Sequence, residues 1–220
     1  MKICVVTDRR SSLSVRLPSC DIALFGFGAL GTVDYESELA GKTEKFEAVA
    51  KLSGVAECGV LCGCDTLSRG LKRRSVAVAS RGKLLGISDM LNVLDDEEYK
   101  SGAAVGVYTV GGYKVGLCID NDLYFPDCIK ACAMYGCNLV AVHTEEITDG
   151  IAPVLIRAYA YLYGMPIVLC SGGAAYFADI TGVLASSTQE VAVFETSPKN
   201  VYRVVTSRRR GVFTAPFNDY

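Results

Sequence analysis

The chain has 220 residues, of which 50% are apolar and 21% are charged, and its formal net charge is -2. This composition excludes a disordered or collagen-like chain, and the length suffices for one large domain with a sizeable core. A near-neutral charge supplies no long-range field for a polyanion, so we predict neither a nucleic-acid partner nor a membrane partner. Three short basic runs, at residues 9–10, 72–74 and 208–210, are predicted to lie in solvated turns.

The sequence contains ten cysteines, a number that would suggest disulfide bonds in a small secreted domain. This chain is large, its first residues resemble a strand rather than a signal peptide, and it has no long apolar segment. We therefore expect reduced thiols in the core of a cytoplasmic protein. The spacing of Cys62 and Cys64 is too short for a zinc knuckle and His143 is the only histidine, so we predict neither a metal nor a cofactor.

Short apolar runs bounded by glycine and charged residues are interspersed with a few segments of helical spacing. Short runs rich in valine, isoleucine and cysteine predict buried strands, whereas apolar residues three and four apart predict helices. In chain order, the sequence predicts strands at 3–6 and 21–25, a helix at 43–57, strands at 59–64, 75–80, 104–110 and 114–120, a helix at 127–135, a strand at 138–143, a helix at 151–163, and strands at 166–170, 191–195 and 201–206.

The second and third predicted helices have clear end signals. Pro126 stands at the start of the second, and Gly136 and Gly164 follow the second and third, where glycine provides a left-handed cap. Strands outnumber helices by about three to one, which favours a two-sheet sandwich with helices outside over simple βα alternation. We predict a single domain over residues 1–213 and a C-terminal tail at 214–220.

The most specific segment is KVGLCIDNDLYFPD at residues 114–127, followed by a predicted helix and then by GCNLVAV at 136–142. It resembles the carbon–nitrogen hydrolase (nitrilase) superfamily, in which a strand ending in G-x-x-x-C-Y-D-x-x-F-P-E precedes a helix and a G-A-D-L strand. The resemblance implies the α/β class, with a four-layer α-β-β-α sandwich. In ordinary members it also implies hydrolysis of an amide or a nitrile.

Shorter matches support the resemblance because they occur in the order and spacing of the family. DIALF at 21–25 resembles the second strand, which leads into a Pro-Glu pair, and residues 80–86 resemble a solvent hairpin. YKSG at 99–102 resembles the F-x-P-G motif, and RAYA at 157–160 resembles the R-A-R-A helix start. GVLA at 182–185 resembles the G-x-V-L-A turn of the family.

Thiol-based hydrolysis needs a cysteine nucleophile, a glutamate base and a lysine that stabilises the oxyanion. The ungapped match to the family implies that Asp120 takes the nucleophile position, Phe27 the base position, and Ser88 or Asp89 the lysine position. Asp95 matches a supporting acid. The resemblance therefore implies a divergent member that lacks the Glu-Lys-Cys triad.

A gapped alignment instead makes Cys118 the nucleophile. Alternation along a strand would put Cys118 and Asp120 on the same face, about 6.6 Å apart. An activated thiolate needs a base and a lowered pKa, which Phe27 does not supply, so we expect Cys118 to be a core thiol. Asn121 and Tyr124, which follow Asp120, are candidate ligand-binding residues.

The carboxylates matched to the site raise an electrostatic question. If Asp89, Asp95 and Asp120 converge, they would repel one another unless they are protonated, bind a metal or face a cationic ligand. We treat Asp120 as a ligand-binding or hydrogen-bonding carboxylate in preference to a nucleophile, because its attack on an amide would form an anhydride.

Only fourteen residues, 7–20, separate the first two predicted strands, too few for the long helix that the family places there. We therefore expect the family's first helix to be missing and its sheet face to be covered in another way, such as by a partner subunit. Family members often dimerise through helices matching 127–135 and 151–163, which implies a homodimer or a higher homo-oligomer. The tyrosines of 151–163 would either form an aromatic interface or pack within the domain.

The sequence alone leaves three possible functions. The first is a protein that has lost thiol-based hydrolysis and is retained for binding a small amide- or amine-containing ligand, or for regulation. The second is an active C–N hydrolase that uses Cys118 or the acidic cluster of Asp95 and Asp120. The third is a structural, oligomer-forming protein without a ligand site.

Overall fold

The computed structural model describes residues 1–7, 13–94, 98–147 and 150–197. The apolar runs of the sequence form strands that are covered on both faces, and these strands make two sheets. The first sheet consists of β1 (Lys2–Val6), β2 (Ile22–Phe25), β3 (Thr32–Asp34), β4 (Gly59–Ser68), β5 (Leu71–Ser80), β6 (Lys83–Asp89) and β13 (Val191–Glu195). Its spatial order is β13-β1-β2-β4-β5-β6, and β3 pairs with the far end of β4.

The second sheet consists of β7 (Val107–Val110), β8 (Tyr113–Ile119), β9 (Leu139–His143), β10 (Ile167–Ser171), β11 (Ala174–Ala178) and β12 (Leu184–Ser187), in the spatial order β12-β11-β10-β9-β8-β7. The helices are α1 (Tyr35–Leu39), α2 (Lys45–Val55), α3 (Pro126–Met134) and α4 (Ile151–Tyr163), with a 3-10 turn at Asp120–Tyr124. Within the described ranges, no helix is long and apolar enough to cross a membrane.

Three apolar clusters define four layers. The central cluster lies between the two sheets and contains Ile3, Leu61 and Leu117. A second cluster packs the outer face of the second sheet against α3 and α4, and a third packs the outer face of the first sheet against α2. The layers are therefore α2, first sheet, second sheet, and α3 with α4, which confirms the predicted α-β-β-α sandwich.

The parallel strands of both sheets end at a common edge. In the first sheet β1, β2 and β4 are parallel neighbours, and in the second sheet β8, β9 and β10 are. At this edge the backbone N–H of Gly173, after β10, donates to the carbonyl of Thr7, after β1, at 2.7 Å. Loops that leave the carboxyl ends of parallel strands commonly build binding sites, and this edge holds the candidate site described below.

The predicted elements that fall on described residues are confirmed, with ends displaced by a few residues. The apolar runs form the strands β1, β2, β4, β5, β7 to β10 and β13, and the three helical segments form α2, α3 and α4. The strands β3, β6, β11 and β12 were not predicted. The strand β3 is short, and β6 and β12 have several exposed residues and so lack a continuous apolar run. The predicted strand at 201–206 and tail at 214–220 lie outside the described residues.

The segment between β1 and β2 contains no helix in its described part, residues 13–20. Its side chains Leu13, Val15, Leu17 and Cys20 pack against the outer cluster of the first sheet. The chain itself therefore covers part of the face for which we expected a partner subunit. Of the tyrosines of α4, Tyr159 packs within the domain, in the cluster between the helices and the second sheet, whereas Tyr161 is exposed. The homo-oligomer stays a prediction.

The basic run at 72–74 was wrongly predicted to be a solvated turn. It lies in β5, where Arg73 faces outward and Arg74 faces the second sheet and is only 7% exposed. Burial of a guanidinium is costly unless carboxylates surround it, and they do so here. The runs at 9–10 and 208–210 lie outside the described residues.

Candidate functional site

Asp120 lies where β8 ends and the 3-10 turn begins. Its φ is +50°, a left-handed conformation that a residue with a side chain adopts at a cost and that is enriched at functional sites. Asp122 holds this turn in place, because its buried carboxylate accepts hydrogen bonds from the backbone N–H groups of Ile119 (3.2 Å), Leu91 (3.0 Å) and Asn92 (2.8 Å). Burial raises the pKa of the Asp122 carboxyl, although these hydrogen bonds oppose the increase.

Arg74 is the centre of the site. Its Nη1 donates to Asp120 Oδ2 at 2.6 Å and contacts Glu145 Oε2 at 2.7 Å. Its Nε donates to Asp65 Oδ1 at 3.3 Å, and its Nη2 donates to the hydroxyl of Tyr99 at 2.6 Å. The guanidinium therefore joins β5, β4, the loop before β7, the turn after β8 and the loop after β9.

Aromatic rings enclose the guanidinium. Its carbon lies 4.7 Å from the ring centroid of Phe27 and 4.7 Å from that of Tyr99, which are cation–π distances. The hydroxyl of Tyr99 also donates to Asp65 Oδ2 at 3.1 Å. Burial lowers the pKa of the Arg74 guanidinium, but the hydrogen bond and charge of Asp120 and the hydrogen bond of Glu145 outweigh it and raise the pKa above its usual range. Arg74 is a permanent cation.

A cavity of about 310 Å³ opens beside this cluster. Its wall combines the guanidinium and the Phe27 ring with three carboxylates and several glycines. The lining residues are Thr7, Gly26, Phe27, Gly28, Gly31, Thr32, Asp65, Arg74, Glu145, Glu146 and Gly172. Such a mixture of one apolar surface and a few polar groups suits a small, partly polar molecule.

Some of the predicted site residues lie in the cluster around Arg74, and others lie elsewhere in the fold. Asp120 and Phe27 both contact Arg74. Ser88 faces the space between the sheets, and its hydroxyl lies 3.1 Å from that of Tyr108. Asp89 faces the outer side of the first sheet, where it accepts a hydrogen bond from Ser75 at 2.7 Å and lies 3.7 Å from Arg73.

No cationic side chain occupies either proposed lysine position, so the positive charge at the site comes from β5 instead. The considered convergence of Asp89 with Asp120 is not seen, because Asp89 lies on the outer side of the first sheet and Asp120 contacts Arg74 on the inner side. A different set of carboxylates, Asp65, Asp120 and Glu145, surrounds Arg74. Asp95 lies outside the described residues.

Cys118 does not share a face with Asp120, contrary to the expectation from strand alternation. It is fully buried among residues of α3, α4 and the outer face of the second sheet, whereas Asp120 reaches Arg74 on the inner side. The positive φ of Asp120 ends the alternation and reverses the direction of its side chain. Burial raises the pKa of the Cys118 thiol well above its ordinary value, as expected for a core thiol.

Asn121 and Tyr124 lie in the 3-10 turn, and neither belongs to the wall of the cavity. Asn121 is half-buried and Tyr124 is 47% exposed. Their predicted contact with a ligand stays a prediction.

Sequence reasoning missed Arg74 and its partners Asp65, Tyr99 and Glu145. A signal was present for Arg74, because it stands two and four residues before the buried Val76 and Val78 and so shares their face of the strand. Asp65 is its direct partner across the β4–β5 pair. Glu145 carried no such signal, since it comes from the other sheet.

No known family profile and no curated protein matches this sequence. Solved structures do match. A cysteine-to-alanine mutant of the Nesterenkonia AN1 amidase from the nitrilase superfamily aligns with a TM-score of 0.74 at 16% identity, over 95% of this chain and 94% of that chain. The butyramide complex of a cysteine-to-alanine mutant gives 0.72 at 16% identity, over 95% and 94%.

A further mutant of that amidase, which carries the acetamide moiety of fluoroacetamide on its active-site cysteine, gives a TM-score of 0.68 at 15% identity, over 88% of each chain. The chain therefore has the fold of the nitrilase-superfamily amidases, as the segment at 114–127 predicted.

Proposed function

We propose that this chain is a non-hydrolytic protein of the nitrilase fold that binds a small amine- or amide-containing molecule in the cavity beside Arg74. The observation that carries the proposal is the ion pair between Arg74 and Asp120, at 2.6 Å, at the position that the family resemblance assigns to the nucleophile. A carboxylate held by a guanidinium replaces the reactive thiol there.

The chemistry of this arrangement argues against amide hydrolysis. Attack by the Asp120 carboxylate would replace an amide with a more reactive anhydride, and its hydrogen bond to Arg74 withdraws electron density from the attacking oxygen. Phe27, at the proposed base position, has no group that accepts a proton. The buried Cys118 thiol has a raised pKa, which opposes formation of a thiolate.

The cavity wall favours a ligand that donates hydrogen bonds. Asp65, Glu145 and Glu146 present carboxylate acceptors, and the Phe27 ring offers a surface for a short apolar group. A primary amine or a primary amide on a short alkyl chain supplies both features. Butyramide, which is bound in one of the structural neighbours, has this form. The ten cysteines are thiols and not disulfide-bonded, which favours a reducing compartment, and we propose the cytoplasm.

We expect the purified protein to release no ammonia from butyramide, acetamide or acrylamide above the uncatalysed rate. A coupled ammonia assay measures this directly. Ammonia release that is lost in Cys118→Ala and kept in Asp120→Asn would contradict the proposal and support a thiol hydrolase.

We expect butylamine and butyramide to bind saturably, and Glu146→Gln to distinguish them. Removal of one carboxylate charge from the cavity wall should weaken butylamine binding about threefold and leave butyramide binding nearly unchanged, because only the amine is cationic. Calorimetry or ligand-observed NMR measures both affinities. Glu195→Gln, which removes an exposed carboxylate outside the cavity, is the matched control. Absence of saturable binding by either compound would favour the structural, oligomer-forming alternative.

A further inference from the structure

Three cysteines meet at the first sheet, away from the Arg74 cavity. Cys20 lies just before β2, Cys58 lies just before β4, and Cys4 lies within β1. The strands β1, β2 and β4 are parallel neighbours, so the residues that precede β2 and β4 are brought side by side. All three cysteines belong to the outer apolar cluster of the first sheet.

The three thiols belong to one cluster, and the strand register brings two of them close together. Gly59 pairs with Ile22, so Cys58 lies across from Asp21, the residue that follows Cys20. Interaction with the neighbouring Cys4 and Cys58 thiols lowers the pKa of the Cys20 thiol, and interaction with Cys20, together with burial, raises the pKa of the Cys4 and Cys58 thiols. Cys20 is therefore the thiol of the group that ionises most readily, and it is also the most exposed of the three.

Access also singles out Cys20. Nine of the ten cysteines are buried, whereas Cys20 is half-buried. Next to it, Asp21 and Cys58 line a surface cavity of about 510 Å³ between the end of α2 and two hairpin turns. A small solute that enters this cavity reaches the wall formed by Cys58 and by Asp21, the residue after Cys20. Access of this kind is one condition for a selective thiol reaction.

We propose that Cys20 and Cys58 form a peroxide-reactive dithiol site. The Cys20 thiolate attacks the outer oxygen of a hydroperoxide, which breaks the O–O bond and releases an alcohol or water once the leaving oxygen takes a proton. The resulting sulfenic acid is then attacked by the Cys58 sulfur, which forms the disulfide and releases water. Two thiols lose two electrons and two protons, and the hydroperoxide is reduced.

Backbone freedom selects Cys58 over Cys4 as the resolving partner. Cys4 is paired on both sides, with Val193 of β13 and Ala23 of β2, and cannot move without disrupting the sheet. Cys20 and Cys58 both lie outside the strands and can adjust to the narrow range of Cα separations that a disulfide requires.

The test treats the full chain with hydrogen peroxide and follows the intact mass and the non-reduced peptide map. We expect a loss of about 2 Da and a Cys20–Cys58 linkage, formed at least about tenfold faster than oxidation of any other cysteine. Cys58→Ser should convert this product into oxygen adducts on Cys20. Cys20→Ser should abolish the fast reaction.

Cys137→Ser is the matched control, because the thiols of Cys132 and Cys137 both lie against Gly116 and form a second, buried pair. Its peroxide reaction should equal that of the unmodified chain. Timed iodoacetamide labelling of the unmodified chain needs no variant and should alkylate Cys20 first. A Cys20–Cys4 disulfide, equal oxidation rates in Cys20→Ser, or uniform labelling of all cysteines would overturn the proposal.

Discussion

Replacement of Arg74 by methionine is expected to lower the free energy of unfolding by about 3 kcal/mol at neutral pH. The side chain keeps its approximate length but loses its charge. The carboxylates of Asp65 and Asp120, which are only 16% and 25% exposed, would then lose the cation that they share. Asp65 would keep Lys72, at 3.4 Å, so the larger part of the loss is expected at Asp120. Removing one partner of a buried ion pair costs more than the pair contributes, because the remaining charge stays desolvated.

Chemical denaturation measures this change, with Arg73→Met as the matched control. Arg73 precedes Arg74 on the same strand but faces outward, and its ion pair with Asp89 is long, at 3.7 Å. We expect the control to lose less than about 1 kcal/mol. In a double variant, Arg74→Met with Asp120→Asn should recover about 1 kcal/mol relative to Arg74→Met alone, since one unpaired charge is gone. Equal losses for Arg73→Met and Arg74→Met would contradict a central electrostatic role for Arg74.

The fold could be predicted from the sequence because its strands are continuous apolar runs. A strand buried on both faces has no alternation, and β1, β2, β9 and β10 all have this character. The strand β12 could not be predicted in this way, since most of its residues are exposed and its place depends on pairing with β11. Tertiary pairing, rather than local composition, makes that segment a strand.

The position of Asp120 could be predicted because it depends on local spacing within one turn. The turn lies between β8 and Pro126, the first residue of α3. Counting back from Phe125 and Pro126 over the length of the turn therefore identifies Asp120 as the residue that follows the strand. Its left-handed backbone could not be predicted, because aspartate has no requirement for that conformation. That single dihedral angle decides that Asp120 meets Arg74 and does not point to the core of Cys118.

The pairing of Asp65 with Arg74 could have been predicted from the sequence. Arg69 and Gly70 both have positive φ and connect β4 to β5, as in a two-residue hairpin turn. A turn centred on these residues sets Asp65 opposite Arg74 by counting outward equally on both strands. Glu145 differs, because its contact depends on how one sheet lies over the other, and no local pattern specifies that packing.

His143, the only histidine, is expected to make the protein about 3 kcal/mol less stable at pH 4 than at pH 7, apart from the effects of the carboxyl groups. It ends β9 and is fully buried, on the same face as Leu139 and Ala141 in the central cluster. Burial lowers the pKa of its imidazole from 6.5 to about 4, and a contact with the backbone of Leu61 opposes this only in part.

The direction of the effect follows from proton binding. Between pH 6.5 and pH 4 the unfolded chain binds a proton at this histidine and the folded chain does not, so acid favours unfolding over that window. Well above pH 6.5 the imidazole is neutral in both states and its contribution is constant. Denaturation curves at several pH values, for the unmodified chain and for His143→Gln, isolate the histidine because both proteins share the same carboxyl groups.

We expect the stability of the variant to fall less steeply between pH 6.5 and pH 4, whatever its stability at neutral pH. An NMR titration of the single imidazole gives its folded pKa independently of any substitution. A folded pKa near 6.5 would show that the charged ring is accommodated between the sheets, which requires a proton acceptor at the end of β9. Glu145, which lines the Arg74 cavity, follows His143 by two residues. Such a result would therefore also place a titrating imidazole, that of His143, near this cavity.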